Sequence, residues 1–251
     1  MSSRVPDRYA VVGHPISHSR SPWIHHEFAK ATGQLIEYGR FDVSSADLAN
    51  FVEKFFEEGG RGLNITLPHK EAAAYLVQKL TPRAEAAGAV NTIWQQSDGM
   101  LVGDNTDGAG LLTDLMTNLG VTIVDRRILL VGAGGAARGC VAPLLQRRPA
   151  SVIITNRTID RARGLAALFK GQGPVQAHAL SELGTLAFDV VINATSASLS
   201  GETPAIPREV IARNTIAYDL AYGKGDTSFS AFCKSQGAAA AYTGLGMLVE
   251  Q

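Results

Sequence analysis

Apolar and polar positions along this chain follow two rhythms, one with the period of a strand and one with the period of a helix. Tyr9–Val12 is a short apolar run closed by Gly13 and Pro15, and Leu35–Val43 has strand character. From Ser45 to Glu58, Leu48, Phe51, Val52, Phe55 and Phe56 recur three and four residues apart, one helix face, and Gly59-Gly60 ends it. Leu63–Leu67 reads as another strand, and Pro68 is placed to open a helix through Glu71 to Leu80. Ala89–Gln95 and Met100–Gly103 flank Ser97-Asp98-Gly99 and predict a β-hairpin. A helix over Thr106–Leu119 follows. Beyond it Arg127–Val131, Ser151–Thr155, Asp189–Asn193 and Thr215–Asp219 read as buried strands with helices between them. Such alternation predicts α/β architecture, with a parallel sheet covered on both faces. A boundary between two α/β domains is expected near Thr106–Leu119.

Composition narrows the classes. The chain has 251 residues, 45% of them hydrophobic, enough to bury a core in two modest domains. Lys+Arg 23 balances Asp+Glu 23, so neither the basic excess of a nucleic-acid binder nor a polybasic membrane anchor is present. Cys140 and Cys233 lie far apart without metal-ligand spacing and read as small core residues of a protein in a reducing, cytoplasmic compartment. Met1–Arg20 lacks the apolar stretch of a secretory signal, and no uncharged apolar run is long enough for a membrane helix. The histidines, including His14 with His18 and His25-His26, lack the acid or thiol that would complete a metal set, and no metal is expected.

The strand Ile128–Val131 runs into Gly132-Ala133-Gly134-Gly135-Ala136-Ala137, and helix-compatible sequence continues to Leu145. In this pattern Gly132 permits a tight turn, Gly134 lets the backbone approach a pyrophosphate, and small Ala137 lets helix and strand pack closely. The first helical N–H groups then face the phosphates. At the end of the next strand an NAD site carries Asp or Glu for the ribose 2′-hydroxyl, whereas here Thr155 is followed by Asn156-Arg157-Thr158, with Arg161 one turn on. Two guanidinium groups in place of a carboxylate suit the 2′-phosphate of NADP. Thr158 also reads as an ordinary helix N-cap, which leaves the missing acid unexplained.

Other polar residues stand where strands of the first half end: Ser17-His18-Ser19, Asn64 to Lys70, Asn91-Thr92 and Gly103 to Asp107. In open parallel sheets ligands bind beyond the carboxyl ends of strands. Short hydroxyl and amide side chains there suit a small polyhydroxylated or carboxylated substrate, and one Lys and one Asp among them make a candidate proton-transfer pair.

The segments Gly13–Pro22, Asn64–Glu71, Gly88–Thr92, Gly103–Gly108, Gly132–Ala136, Asn156–Thr158, Ile192–Thr195 and Gly244–Leu248 resemble, in order, those of the shikimate dehydrogenase family. The resemblance implies an N-terminal α/β substrate domain plus a C-terminal Rossmann-like dinucleotide-binding domain. It implies boundaries of 1–105, joined by 240–251, and 106–239. The implied reaction is the reversible NADPH-dependent reduction of 3-dehydroshikimate to shikimate. Lys70 and Asp107 fall on the family's catalytic positions, and Ser17, Ser19, Thr66, Asn91, Tyr222 and Gln251 on substrate positions. Gly132, Ala133, Gly134, Gly135, Ala136, Asn156, Arg157, Thr158, Arg161, Leu220 and Gly244 fall on cofactor positions. In that chemistry Lys70 acts as general acid in reduction and base in oxidation, with Asp107 orienting the ammonium and holding it charged. The implied partner is a small molecule, without nucleic acid or membrane, for a monomer or homodimer. Thr243 stands before Gly244 where the family commonly has Asp. Family members also usually continue past Gln251, so a C-terminally shortened relative is expected. An NAD-using quinate/shikimate dehydrogenase and a non-catalytic dinucleotide-binding regulator are the rival readings. The absent acid after Thr155 opposes the first, and the presence of Lys70 and Asp107 opposes the second.

Overall fold

The computed structural model describes residues 5–184 and 186–251; the first four residues of the expected signal-free N-terminus lie outside the described residues. The chain divides into two units, the first ending at Thr106 and the second running Asp107–Gln251.

The first unit is built from β1 (Asp7–Gly13), α1 (Ser21–Thr32), β2 (Ile36–Asp42), α2 (Leu48–Glu57), β3 (Gly60–Ile65), α3 (Lys70–Ala73), β4 (Lys79–Leu80), α4 (Pro82–Ala87), β5 (Thr92–Gln95) and β6 (Leu101–Asp104). Its sheet has the order β2-β1-β3-β5-β6-β4. β1 lies parallel to β2 and β3, while the β5–β6 hairpin brings β5 in antiparallel to both neighbours. The stripe foreseen on α2 packs as expected, with Leu48, Val52, Phe55 and Phe56 buried against Val12, Leu63 and Ile65. α2 starts later than Ser45 because the Ser44 hydroxyl donates to Asp47 Oδ2 and holds the intervening residues in a turn.

The helix expected from Pro68 to Leu80 does not form. Only Lys70–Ala73 is helical, and the chain then runs back alongside β6, where β4 pairs in parallel and Gln78 N–H donates to Leu101 O at 3.1 Å. That path lets Leu76, Val77 and Leu80 pack on the core, which a straight helix would forfeit. The working start signal lies further on. Thr81 caps α4 by accepting from Ala84 N–H, and Pro82 occupies its first turn.

The second unit contains α5 (Asp107–Thr113), which passes into a π-helical segment (Asp114–Asn118), then β7 (Arg127–Val131), α6 (Gly135–Gln146), β8 (Ser151–Thr155), α7 (Ile159–Leu168), β9 (Val175–Ala177), β10 (Phe188–Asn193), β11 (Ile211–Asp219), α8 (Ser228–Ser235), β12 (Ala240–Thr243) and α9 (Leu245–Glu250). All its strand pairs are parallel, in the order β12-β11-β10-β7-β8-β9. This is the Rossmann-like arrangement, in which the chain reverses direction at β7. Alternate residues feed opposite faces. Ile128, Leu130, Val152 and Ile154 join one apolar cluster, whereas Leu129, Val131, Ile153 and Val191 join another with Phe229 and Cys233. Both cysteines are buried and unbridged.

Residues 240–251 were expected to join the first domain, but the structure places them in the second unit. Ala240–Thr243 supplies a sixth parallel strand against β11, and buried Met247 of α9 joins the apolar cluster of α5 and β7.

Candidate functional site

In the first unit the substrate-type residues gather at one edge of the sheet through main-chain hydrogen bonds. Thr66 N–H donates to Val12 O at 2.9 Å, His14 N–H to Leu67 O at 2.9 Å, and Ile65 N–H to Asn91 O at 2.8 Å. The segments carrying Ser17, Thr66 and Asn91 are therefore neighbours. Lys70 is tied to the same edge, because its carbonyl accepts from Val90 N–H at 2.8 Å, next to Asn91. Lys70 is half-buried at the start of α3, Thr66 half-buried, Ser19 and Asn91 buried, and Ser17 exposed. Asn91 is further fixed by Thr106, whose N–H donates to Asn91 Oδ1 at 3.0 Å.

Three supporting residues brace these segments, and two of them, His69 and Asp104, lie within the polar runs at strand ends. Arg40 Nη1 donates to Ser17 O at 2.6 Å and to Ser19 O at 3.3 Å, bracing the serine loop from β2. His69, 1% exposed, bonds Val43 O through Nε2 at 2.7 Å. A carbonyl only accepts, so Nε2 carries the proton and the ring anchors the residue just before Lys70. Asp104 accepts from Thr81 Oγ1 and Arg83. Burial pushes its carboxyl up, but those donors and the Arg83 charge outweigh burial and hold it below the ordinary range. The polar run from Gly103 to Asp107 was the only hint of this anchor. Among the expected histidines, His14 pairs with Asp42, and His25 stacks on Tyr38 at 4.1 Å. Among the described residues no group of His, Cys, Asp and Glu could hold a metal ion.

In the second unit the cofactor-type residues lie at the carboxyl edge of the parallel sheet. Gly132 leaves β7 with φ +115°, and a Cβ there would meet Ala194 O at 2.9 Å. The turn therefore demands glycine. Gly134 takes the N-cap position of α6 in extended conformation without a side-chain cap, and α6 has no acid in its first turn. Open space lies where a Gly134 Cβ would point. Such an arrangement suits an anionic pyrophosphate against the positive end of a helix. Beyond β8, Asn156 is half-buried and donates to Thr158 O at 3.0 Å, while Arg157, Thr158 and Arg161 are exposed. Thr158 holds the N-cap position of α7, but its hydroxyl makes no capping bond. The nearby acid, Asp160, pairs with Arg163 at 3.1 Å. The residues present thus fit a dinucleotide carrying an extra phosphate on its ribose.

The loops after β10 and β11 are joined through Asp219, which is fully buried. Its carboxyl accepts from Asn193 Nδ2, Ala221 N–H, Ser198 Oγ and Thr227 Oγ1 at 2.6–3.1 Å. Leu220 N–H donates to Asn193 O at 2.9 Å, and Gly244 N–H to Ala221 O at 3.0 Å, so Leu220, Tyr222 and Gly244 belong to one knot of chain. Asp107 opens α5, 1% exposed, and Gln251 follows α9.

A Rossmann-like sheet with a phosphate cradle, together with a separate unit whose sheet edge gathers lysine, hydroxyl and amide groups, defines a dinucleotide-binding protein of the oxidoreductase type. Comparison with known proteins gives the family. Residues 11–93 match the shikimate dehydrogenase substrate binding domain, and residues 115–218 match shikimate/quinate 5-dehydrogenase. The shikimate dehydrogenase (NADP(+)) of Hahella chejuensis is 51% identical over 245 residues, 98% of this chain and 90% of that protein. An Ael1 enzyme from Pseudomonas putida is similar in structure with TM-score 0.87 and 43% identity, covering 97% of this chain and 89% of that one. Shikimate 5-dehydrogenase from Thermus thermophilus, solved with NADP(H) and shikimate, gives TM-score 0.81 and 34% identity over 96% of this chain and 88% of that one. The chain belongs to the shikimate dehydrogenase family. No helix among the described residues is long and apolar enough to cross a membrane.

Proposed function

We propose that this chain is an NADP-dependent oxidoreductase that interconverts 3-dehydroshikimate and shikimate. The observation that carries this reading is the match of nearly the whole chain, at 51% identity, to a relative named for that activity and cofactor. The absence of an acid at Asn156, with Arg157 and Arg161 following it, supports the choice of NADP.

On this reading the second unit takes the cofactor. When bound, NADPH supplies the hydride that reduces the ketone. Lys70 donates its ammonium proton to the carbonyl oxygen as negative charge develops there, and in the reverse direction removes it from the alcohol. Asp107 is the second member of the proton-transfer pair. Ser17, Ser19, Thr66, Asn91, Tyr222 and Gln251 bind the hydroxyl and carboxylate groups of the substrate. Arg157 and Arg161 hold the ribose phosphate, with Asn156 and Thr158 beside them, and Leu220 and Gly244 border the nicotinamide. The partner is a small molecule, and the chain acts in the cytoplasm as a monomer or homodimer.

The test is absorbance of the reduced nicotinamide with shikimate or quinate and with NADP or NAD. Reduction with shikimate and NADP at a kcat/KM well above the other three combinations is expected. Faster turnover with NAD and quinate would favour the rival dehydrogenase, and none in any combination would favour a binding protein.

A further inference from the structure

A buried polar pair in the second unit has no part in the steps above. Asp114 and Tyr218 are both buried, and the Tyr218 hydroxyl donates to Asp114 Oδ2 at 2.6 Å. Burial, and then the neighbouring carboxylate, push the phenol above its ordinary range, so it keeps the proton it donates. Its oxygen also accepts Met247 N–H at 3.3 Å.

That N–H belongs to the first turn of α9, whose N-cap residue Gly244 provides no side-chain cap. The phenol takes the place of a capping hydroxyl, and the carboxylate behind it sets negative charge at the positive end of the helix. A Cβ on Gly246 would overlap the Asp114 carboxylate, which therefore lies directly against the α9 backbone. Asn118 Nδ2 reaches both Asp114 Oδ1, at 3.0 Å, and Glu250 Oε1 at the other end of α9, at 3.1 Å. Asp114 is also where α5 widens, with Leu119 N–H donating five residues back to Asp114 O at 3.0 Å. Such widened turns recur at functional positions.

Further along α5 the two helices touch again. A Cβ on Gly110 would come within 2.7 Å of Met247 O and 2.9 Å of Gln251 N. Asp107, Gly110 and Asp114 are spaced three and four residues apart, the spacing of one helix face. The Gln251 backbone thus rests one turn along α5 from Asp107.

We propose that Asp114 and Tyr218 are positioning residues that lock α9 in register on α5 and thereby set Gln251 beside Asp107 for the substrate. The proposal rests on the reading that Gln251 contacts substrate. The experiment compares Tyr218→Phe, Gly110→Ala, Gln251→Ala and the Tyr218→Phe/Gln251→Ala double variant. It reads shikimate KM and kcat, NADP Kd, and hydrogen exchange of the α9 amides.

Tyr218→Phe keeps the ring volume and raises the shikimate KM about tenfold, the scale of one lost hydrogen bond, with NADP Kd within about twofold. Exchange at Met247 and Gln251 quickens. Gly110→Ala pushes α9 away sterically and gives the same KM-selective signature without disturbing the buried pair. In the Gln251→Ala background Tyr218→Phe adds less than about twofold, because its effect runs through that residue. Unchanged KM in both Tyr218→Phe and Gly110→Ala, with KM raised in Gln251→Ala, overturns this proposal alone. So does a full tenfold effect of Tyr218→Phe in the Gln251→Ala background. An unaffected KM in Gln251→Ala overturns the assignment of Gln251 and the proposal with it.

Discussion

Removing the Asp219 carboxyl tests how the loops after β10 and β11 are held. Asp219 is fully buried and accepts four hydrogen bonds, from Asn193, Ser198, Ala221 and Thr227. Thr227 in turn caps α8, so one side chain ties two loops to a helix start. Asp219→Ala leaves those donors without their acceptor. Leaving buried donors of such a hydrogen-bond network unsatisfied costs about 3–5 kcal/mol. At about 2–4 °C per kcal/mol for a chain of this size, the thermal midpoint falls by roughly 10 °C. Asp219→Asn keeps the shape and one acceptor oxygen and loses about 1–2 kcal/mol.

The pH dependence has a definite sign. Burial pushes the Asp219 carboxyl above its ordinary range despite its four donors. The folded protein then binds that proton more tightly than the unfolded chain does. The resulting stability is full below the unfolded carboxyl value, about 3.9, and fades as pH rises through the folded value. Asp219→Asn lacks this titration, so its deficit against wild type is largest near pH 4 and shrinks as pH rises through the folded value. Thermal midpoints followed by circular dichroism from pH 4 to 8 measure both effects. A midpoint for Asp219→Ala within about 2 °C of wild type, or an Asn deficit that grows with pH, would refute the reasoning.

Arg157→Ala is expected to weaken NADP binding about ten- to hundredfold, the range for one or more charge-assisted hydrogen bonds, with NAD binding unchanged. Equal weakening of both cofactors in titration calorimetry would remove Arg157 from the phosphate site. The Cys233 thiol is pushed up to about 12 by burial, with the Asp219 charge adding to it. Site-resolved mass spectrometry is expected to show Cys233 unalkylated by iodoacetamide at pH 8 until the protein unfolds. Rapid labelling of the native protein would contradict that environment.

The second unit was legible in the sequence because its strands are continuous apolar runs and its Gly132–Ala137 turn has a spacing that only a tight strand-to-helix junction needs. The polar segments of the first unit were legible as interruptions at strand ends. The region after Pro68 was not. Its apolar residues fit a helix as well as they fit the turn and short β4, and only packing of Leu76, Val77 and Leu80 decides between them. Strand character at Ala240–Thr243 likewise does not say which sheet it joins, and the pairing with β11 is set by packing far along the chain. The anchoring role of His69 within its polar run, and the Asp114–Tyr218 pair, left no local signal. Their partners lie 26 and 104 residues away, and nothing in the neighbouring sequence marks either as buried.

The central claim is that Lys70 carries the proton in the reaction, and the direct measurement is Lys70→Ala kinetics beside the equilibrium Kd for shikimate. A proton donor acting as charge develops contributes mainly to the transition state, so kcat falls about 10²–10⁴-fold while Kd stays within a few-fold. A Lys70→Ala protein with near-normal kcat and a shikimate Kd weakened by orders of magnitude would make Lys70 a binding residue and contradict the account.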